Sequence, residues 1–273
     1  MTPELKKRIQ TALFGVAVLI LLLVFGEGIG AVLVASVLSI AMLYEFTDIT
    51  FSLPDRKEKR FALLGCAWLL QVLNFFMAGA EFALVSLAFL GLTAYFLFTS
   101  EKFNGEDLKQ HYRELMCSMF GFVYLAFLPT YLVAIRLSAF GKHWILLFLF
   151  IVWANDVGAY FVGKKYGKHA LFPHISPKKT WEGAWGGLVA SVLIALLYKA
   201  AFFRQHLSWG GAVTIAIILS IVAPVGDLAE SFLKRAFDKK DSSSILPGHG
   251  GFLDRFDAVV FALPVMYTLT RLF

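Results

Sequence analysis

Long apolar runs separated by polar connections dominate this chain. Each run approaches the roughly 20 residues that an α-helix needs to cross about 30 Å of hydrocarbon. Helices are favoured over a β-barrel because the runs are continuous and lack the alternation of barrel strands. The pattern predicts about nine transmembrane helices, near Thr11–Phe25, Ile29–Tyr44, Phe61–Met77, Phe82–Thr99, Met116–Ile135, Trp144–Gly163, Gly183–Tyr198, Gly211–Gly226 and Ala258–Phe273.

Composition points to the same class of protein. Of the 273 residues, 59% are hydrophobic and only 16% are charged, and the mean hydropathy is +0.72. An ordinary water-soluble domain does not have this composition. The predicted fold class is therefore all-α, as a polytopic helical membrane protein. We expect one integral membrane domain over residues 1–273, with N-terminal spans at about 11–135 and a catalytic C-terminal part at about 144–273.

The basic residues are distributed unequally between alternate loops. Twenty lysines and arginines fall on one side and five on the other. Because Lys and Arg concentrate in short cytoplasmic loops, the N-terminus and the polar segment Ser231–Asp257 are expected to face the cytoplasm. The segment Asp55–Arg60 is interpreted as a solvated positive anchor. Topology and anionic lipid headgroups account for the net charge of +6, so we expect no nucleic-acid partner.

The segment Ser231–Asp257 concentrates aspartates, basic residues, a histidine and glycines between apolar spans. Carboxylates hold divalent cations, basic side chains hold phosphates, and glycines let backbone N–H groups approach an anion. A phosphoryl or nucleotidyl transfer site needs these components. If the helix containing Gly226 continues into the segment, one of its faces carries Asp227, Ser231, Lys234, Arg235 and Asp238.

Asp227 and Asp254 are the pair predicted to bind a metal, because each lies at the end of an apolar span. Between them, Ile245–Gly251 breaks any helix with one proline and three glycines. A second helix is expected to start near Phe252 and to carry Asp254 and Asp257 on one face. The alternative is that these acids only balance nearby basic residues on a solvated face. The density of Asp, His and Gly favours the metal site.

His249, in the same segment, is a candidate metal ligand, general base or hydrogen-bonding loop residue. Contact with a phosphate or with the metal site is favoured, because a phosphate monoester is already a nucleophile at neutral pH. Glu45 and Asp48, at a helix end, are interpreted as interface and packing residues, and Cys66 and Cys117 as small core residues. The remaining histidines show no pairing in the sequence and are interpreted as structural: His111, His143, His169, His174 and His206.

Asn155 and Asp156 lie within an otherwise apolar span. A polar group at membrane depth is costly unless it faces a polar cavity or a partner, so both residues are functional candidates. The alternative is a buried hydrogen bond that ties two helices together. Gly158 and Gly163, in the same stretch, could equally be close-packing positions.

A basic connection broken by glycine follows this span. Within it, Ser176-Pro177 is interpreted as a helix N-cap followed by proline at the first helical position. A helix N-terminus flanked by lysines suits a phosphate group. The lysines of the connection are Lys164, Lys165, Lys168, Lys178 and Lys179.

These strings resemble one enzyme family. Residues Ser231–Arg235, Lys240–Asp241 and Leu246–Asp257 are similar to the signature of the phosphatidate cytidylyltransferases, also called CDP-diacylglycerol synthases. The strings Asn155–Phe161 and Ser176–Glu182 resemble further motifs of that family. The similarity in length and multi-span layout covers essentially the whole chain, and a signature that mixes Asp, His, Gly and basic positions is highly specific.

The resemblance implies a transferase of phospholipid biosynthesis that works at the cytoplasmic surface of the cell membrane. It would need Mg²⁺ and would transfer the cytidylyl group of CTP to phosphatidic acid, giving CDP-diacylglycerol and pyrophosphate. Membrane lipids are its expected surroundings. A second cation such as K⁺ and a homodimeric state are left open.

The resemblance also implies roles for individual residues. Metal binding is implied for Asp227 and Asp254, supported by Asp241 and Asp257. Phosphate contacts are implied for Lys234, Arg235, His249 and Arg255, and Lys240 is a further substrate-binding candidate. A phosphate of one substrate would be held by Ser176, Lys178, Lys179 and Thr180, while Asn155 and Asp156 would close the cavity from inside the bilayer.

Two other functions use the same features. A CTP-dependent lipid kinase of the polyprenol or phytol type needs the same metal and phosphate groups but an alcohol as acceptor. An ion-coupled transporter would use Asp156 and the glycine-broken helices as a substrate path. The transporter is disfavoured because most candidate groups lie in loops rather than at mid-membrane.

Overall fold

The structure is a computed structural model that describes residues 3–77, 79–243 and 250–273, with side chains described from residue 14 onward. A 3₁₀ turn, Ser100–Lys102, follows α4, and a π-helical stretch, Phe122–Phe127, joins α5 to α6. The α-helices are α1 (Pro3–Phe25), α2 (Glu27–Thr50), α3 (Arg56–Phe76), α4 (Glu81–Thr99), α5 (Gly105–Gly121), α6 (Leu128–Leu137), α7 (Gly141–Tyr166), α8 (Trp181–Phe202), α9 (Trp209–Ala236) and α10 (Leu253–Leu272).

The predicted helical architecture is confirmed. Each of the nine expected spans lies within helical structure, and none extends beyond it by more than one residue. Several helices are longer than the expected spans. Among the described residues, six helical segments are long and apolar enough to cross a membrane, and the count of nine spans stays a prediction. The six are Glu27–Thr50, Glu81–Lys102, Gly105–Leu137, Gly141–Tyr166, Trp181–Phe202 and Trp209–Ala236.

A small antiparallel hairpin interrupts the helices. Its strands are β1 (Ala170–Phe172) and β2 (Ser176–Thr180), and it shows that the predicted helix start at Ser176 is wrong. Helix α8 begins at Trp181, where the Oγ1 of Thr180 caps it by accepting a hydrogen bond from the N–H of Gly183 at 3.1 Å. A proline in β2 is tolerated because a two-stranded sheet has only edge strands.

The chain divides into two compact units. The first comprises Met1–Val133 and Asp241–Arg255, and the second comprises Ala134–Lys240 and Phe256–Phe273. The boundary after Val133 lies close to the predicted end of the N-terminal spans. No sequence pattern predicts that residues 241–255 pack with those spans. Asp254 therefore belongs to the first unit, and Asp227 and Asp257 belong to the second.

The first unit contains buried charges. Lys59 has no exposed surface, and its Nζ lies 2.7 Å from Glu114 Oε2 and 2.7 Å from Asp55 Oδ1. Arg60 is only 9% exposed. The interpretation of Asp55–Arg60 as a solvated anchor is therefore wrong for these two basic residues. A lysine can be buried here because α5 supplies a carboxylate partner to offset its desolvation.

In the second unit, α7 and α8 approach each other closely at Gly158 and Gly183. A Cβ at Gly158 would lie 2.7 Å from Gly186 O and 2.7 Å from Ala190 Cβ. A Cβ at Gly183 would lie 2.9 Å from Ala159 O. Small residues allow two helix backbones to approach this closely. The close-packing interpretation of Gly158 is confirmed.

Candidate active site

Helices α9 and α10 approach each other at Gly226. A Cβ at this position would lie 2.6 Å from Phe261 Cβ and 2.7 Å from Asp257 O, so only glycine fits without a shift of the backbone. Asp227 is the next residue of α9. The close approach of the two helices brings its carboxylate beside that of Asp257.

Three carboxylates gather at this point of the second unit: Asp227, Glu230 and Asp257. One oxygen from each lies within 4.8 Å of the others. Glu230 is 1% exposed and Asp257 is 5% exposed, while Asp227 is partly accessible. Like charges at this separation and burial repel strongly unless cations lie near them. The cluster therefore requires positive charge.

Two lysines supply part of that charge. Lys179 Nζ lies 2.8 Å from Asp227 Oδ2 and donates a hydrogen bond to the carbonyl of Pro224 at 3.1 Å. Lys234 Nζ lies 2.8 Å from Glu230 Oε1. Both lysines are mostly buried, so screening by solvent is weak. Lys179 comes from the end of β2, and the hairpin thus delivers a cation to the carboxylates of α9.

Asp156 lies near the same cluster. It is close enough to Asp227, Asp257 and Lys179 for its charge to interact with theirs. Asn155, its neighbour on α7, is instead buried and donates from Nδ2 to Ser191 Oγ at 3.2 Å and to Ser220 O at 3.4 Å. These contacts match the alternative interpretation of Asn155, a buried hydrogen bond that ties helices together.

Pro224 explains why Ser220 O accepts from Asn155. A proline inside a helix has no N–H and leaves the carbonyl four residues earlier without its helical donor. Here that carbonyl belongs to Ser220, and the amide of Asn155 reaches it from α7. The amide group of Asn155 thus offsets the lost hydrogen bond of α9 one turn before Asp227.

The predicted polar face of α9 is confirmed as far as its last turn. Asp227, Ser231 and Lys234 all lie in α9, and Ser231 Oγ donates to Asp227 Oδ1 at 3.5 Å. Arg235 is exposed and donates to the carbonyl of Lys239 at 3.4 Å. Asp238 lies beyond the end of the helix with φ +54°, so its predicted place on that face is wrong.

The signature segment is partly described. Helix α10 begins at Leu253, one residue from the expected start. Asp254 Oδ2 accepts hydrogen bonds from Ser242 Oγ at 2.7 Å, Gly251 N at 3.0 Å and Ser242 N at 3.2 Å. His249 lies outside the described residues. Since Asp254 belongs to the first unit, its pairing with Asp227 at a metal stays a prediction.

The other substrate-binding candidates fall into two groups. Ser176 and Thr180 lie on β2, where Thr180 is occupied as the cap of α8. Four basic or acidic candidates lie exposed at the surface of their own unit, and their roles stay predictions: Lys178, Lys240, Asp241 and Arg255.

Sequence reasoning missed two carboxylates. Glu230 could have been found, because it lies three residues after Asp227 and therefore on the same side of α9. Glu45 could not, because its partners are about 200 residues away: Ser242, Ser243, Phe252 and Leu253. Its assignment as an interface residue is wrong, since it has no exposed surface. Asp48 pairs with Arg60.

Three histidines that seemed unpaired in the sequence have partners in the fold. His169 Nδ1 lies 2.6 Å from Glu182 Oε1 at the start of α8. His143 Nδ1 lies 3.1 Å from the hydroxyl of Tyr198, and His111 Nε2 lies 2.8 Å from the carbonyl of Phe96. The first contact joins the chain before β1 to α8, the second joins α7 to α8, and the third joins α5 to α4. None of them involves a group of the carboxylate cluster.

Comparison with known proteins assigns the chain. The sequence profile of the cytidylyltransferase family matches residues 6–273. The chain belongs to the cytidylyltransferase family. A phosphatidate cytidylyltransferase of Bacillus subtilis (strain 168) is 32% identical over 99% of this chain and 99% of its own length. The one of Brucella suis biovar 1 is 35% identical over 99% of this chain and 94% of its own length.

A shorter region is more similar still. A phosphatidate cytidylyltransferase of Staphylococcus epidermidis is 46% identical over 129 residues, which is 47% of this chain. Family membership together with the six long apolar helices establishes an integral membrane protein.

The carboxylate cluster also fits a divalent cation by its chemistry. All three side chains offer oxygen atoms, the ligands that Mg²⁺ prefers, and Mg²⁺ needs only one or two carboxylates besides water and phosphate oxygens. The partial accessibility of Asp227 leaves an approach from outside the unit. The residues present therefore fit the metal that the family resemblance implies.

Proposed function

We propose that this cytidylyltransferase family member transfers the cytidylyl group of CTP to phosphatidic acid. The products are CDP-diacylglycerol and pyrophosphate. The observation that carries the proposal is the cluster of Asp227, Glu230 and Asp257 with its two lysines, in a membrane chain whose full-length relatives are named phosphatidate cytidylyltransferases. A site of carboxylates and lysines suits reactants that are both rich in phosphate.

The reaction is a displacement at the α-phosphorus of CTP. An oxygen of the phosphatidate phosphate forms a bond to that phosphorus, and the bond from phosphorus to the oxygen that bridges to the β-phosphate breaks. Pyrophosphate leaves with the electron pair. The phosphate of phosphatidic acid is already ionised at neutral pH, so no strong base is required. The main task of the protein is to bring two anions together and to stabilise the leaving group.

Lys179 and Lys234 carry out part of that task. Each lysine is held by one carboxylate at 2.8 Å, so its ammonium group is oriented before the substrates bind. An oriented cation in a site with little solvent attracts a phosphate more strongly than a free surface lysine does. Arg235, Lys178 and Arg255 remain proposed phosphate contacts on the evidence of the signature.

Asp227, Glu230 and Asp257 would hold Mg²⁺, which supplies charge neutralisation for the phosphates when bound. Asp254 remains a proposed metal ligand and Asp241 a proposed supporting ligand, both because of the signature, and K⁺ remains a proposed second cation. The buried pair Glu230 and Asp257 sets the position of the cation, because neither side chain can turn into solvent.

The topology is part of the proposal. Nine spans, an N-terminus in the cytoplasm and a cytoplasmic active site are supported by the distribution of basic residues between alternate loops. Labelling of single cysteines in sealed vesicles of known orientation, in a background without Cys66 and Cys117, tests it. A homodimer is also proposed, and the mass of the protein in detergent tests that.

The decisive assay follows a label on the α-phosphorus of CTP. Purified protein in detergent micelles is given phosphatidic acid and labelled CTP, with Mg²⁺ or with EDTA. We expect Mg²⁺-dependent transfer of the label into the lipid phase and release of pyrophosphate. A lipid kinase would transfer only the γ-phosphate and leave the lipid unlabelled, and a transporter would leave CTP intact. Either result from folded protein would overturn the proposal.

A further inference from the structure

Glu45 is a buried carboxylate that has no role in the reaction as proposed above. It lies in the last two turns of α2 and has no exposed surface. Oε1 accepts hydrogen bonds from Ser243 Oγ at 2.6 Å and from Phe252 N at 2.9 Å. Oε2 accepts from Leu253 N at 2.8 Å and lies 3.2 Å from Ser242 Oγ, whose single proton it shares with Asp254 Oδ2. Each oxygen of Glu45 thus faces two donor groups.

These four donors flank one stretch of the signature. Ser242 and Ser243 precede residues 244–249, and Phe252 and Leu253 follow them. A single side chain from α2 therefore joins the residues just before the last signature string, Leu246–Asp257, to two residues within it. Glu45 also accepts backbone N–H groups at the start of α10, where a negative charge is favoured by the helix dipole and by the lack of helical acceptors.

Ser242 connects Glu45 to Asp254, one of the two acids predicted to bind the metal. The hydroxyl of Ser242 lies between the two carboxylates, 3.2 Å from Glu45 Oε2 and 2.7 Å from Asp254 Oδ2. Gly251 N donates to Asp254 Oδ2 at 3.0 Å. A Cβ on Gly251 would collide with the carboxylate of Glu45 and with Ser242 Oγ. The glycine of the signature is thus needed for Glu45 to fit.

A carboxylate of this kind differs from one that only stabilises the fold. Glu114, equally buried in the same unit, accepts from Lys59, Ser52 N and Leu53 N, none of which belongs to the signature. Desolvating Glu45 is costly, and its donors in residues 242–243 and 252–253 offset that cost. The contacts of Glu45 therefore determine how residues 242–243 and 252–253 are placed.

We propose that Glu45 is a positioning residue for cytidylyl transfer, which fixes residues 242–243 against 252–253 and thereby orients Asp254. The expected effect on kinetics rests on the proposed function, whereas the expected effect on the structure around Phe252 and Leu253 does not. Loss of Glu45 changes the response to Mg²⁺ because Ser242 and the start of α10 no longer hold Asp254 in one orientation.

The test variant is Glu45→Gln, which keeps the shape of the side chain. Its NH₂ group replaces one carboxylate oxygen and therefore faces the two donors of that oxygen. The backbone N–H of either Phe252 or Leu253 then loses its acceptor. Per mole of folded protein, we expect kcat to fall about 10- to 100-fold and the Mg²⁺ concentration for half-maximal activity to rise by a similar factor. Ser243→Ala, which removes one donor, should give a smaller change in the same direction.

Glu114→Gln is the matched control. It replaces a carboxylate of equal burial in the same unit and should lower the melting temperature, while the Mg²⁺ response of the folded fraction stays that of the wild type. Amide hydrogen exchange gives a second measurement that does not depend on activity. Exchange at Phe252 and Leu253 should accelerate in Glu45→Gln and remain unchanged in Glu114→Gln.

The outcomes are distinguishable. If the wild type does not transfer the cytidylyl group, the proposed function fails, and hydrogen exchange still tests the positioning. If Glu45→Gln leaves both exchange at residues 252–253 and the Mg²⁺ response unchanged, the positioning role is overturned. An equal change in Mg²⁺ response in Glu114→Gln would also overturn it, because the effect would then be one of general stability. Should Glu45→Gln fail to fold, Ser243→Ala decides by the same two measurements.

Discussion

The two units treat buried carboxylates in opposite ways. In the first unit, Glu45 faces four donor groups and Glu114 faces a buried lysine, so each carboxylate is matched by donors of the protein itself. In the second unit, Asp227, Glu230 and Asp257 are brought within 4.8 Å of one another, near two lysines. The first arrangement holds groups of the protein in place, whereas the second gathers like charges whose repulsion a cation can relieve.

The difference teaches how to separate acids that hold groups of the protein in place from acids that gather where a cation can bind. Burial alone does not separate them, since Glu45 and Glu230 are both almost fully buried. The neighbouring charges do: Glu45 faces N–H and O–H donors, whereas Asp227, Glu230 and Asp257 lie close to one another and together favour a divalent cation. Three changes test this comparison.

The largest expected effect is on stability, in the first unit. Lys59→Met leaves Glu114 buried without its charge partner and should cost about 3 to 5 kcal/mol of unfolding free energy. Adding Glu114→Gln to that variant should restore part of the loss, because the uncompensated charge is then gone. Lys57→Met, at an exposed position of the same helix, is the control. Thermal melts in detergent compare the wild type, both single variants, the double variant and Lys57→Met, and an additive double mutant would contradict the pairing.

The next effect is on activity, in the second unit. Asp257→Asn should reduce transfer of labelled CTP to lipid about 10²- to 10³-fold, because the cation loses a buried ligand. Its melting temperature without Mg²⁺ should not fall, since one repelling charge is removed from the cluster. Asp238→Asn serves as the control, because that acid lies beyond the end of α9. A marked loss of stability in Asp257→Asn would make the acid structural and remove the contrast between the units.

The smallest effect concerns the approach of two helices. Gly226→Ala places a Cβ against Phe261 and the carbonyl of Asp257, and the shift this requires should cost about 1 to 3 kcal/mol. Activity should fall as well, since Asp257 moves relative to Asp227. Gly210→Ala, in the same helix, meets nothing within 4 Å and should change neither property. Equal melting temperatures for the two variants would show that the helices can separate freely.

Much of the helical layout could be predicted from the sequence, because apolar length is a direct consequence of the bilayer. The polar face of α9 could be predicted for the same kind of reason, since Asp227, Ser231 and Lys234 follow the period of a helix. The hairpin could not. The sequence Ser176-Pro177 is compatible with a helix start, and only pairing with Ala170–Phe172 makes it a strand.

Four of the residues that the sequence singled out lie together, Asp227, Asp257, Lys179 and Lys234, and Asp156 lies near them. Their roles stay predictions. The role of Glu45 was out of reach, because it depends on contacts that no local pattern encodes. The assignment of Asp254 to a metal site still rests on the signature.

The contact of α7 with α8 has a consequence for temperature. At Gly158 and Gly183 the backbones of the two helices meet almost directly, so this part of the contact forms without freezing side-chain rotamers and without relying on the exclusion of water. Hydrophobic association weakens on cooling, but attraction between closely packed backbones does not depend on water in this way. This helix pair should therefore keep its geometry in the cold, when the lipid around it becomes more ordered.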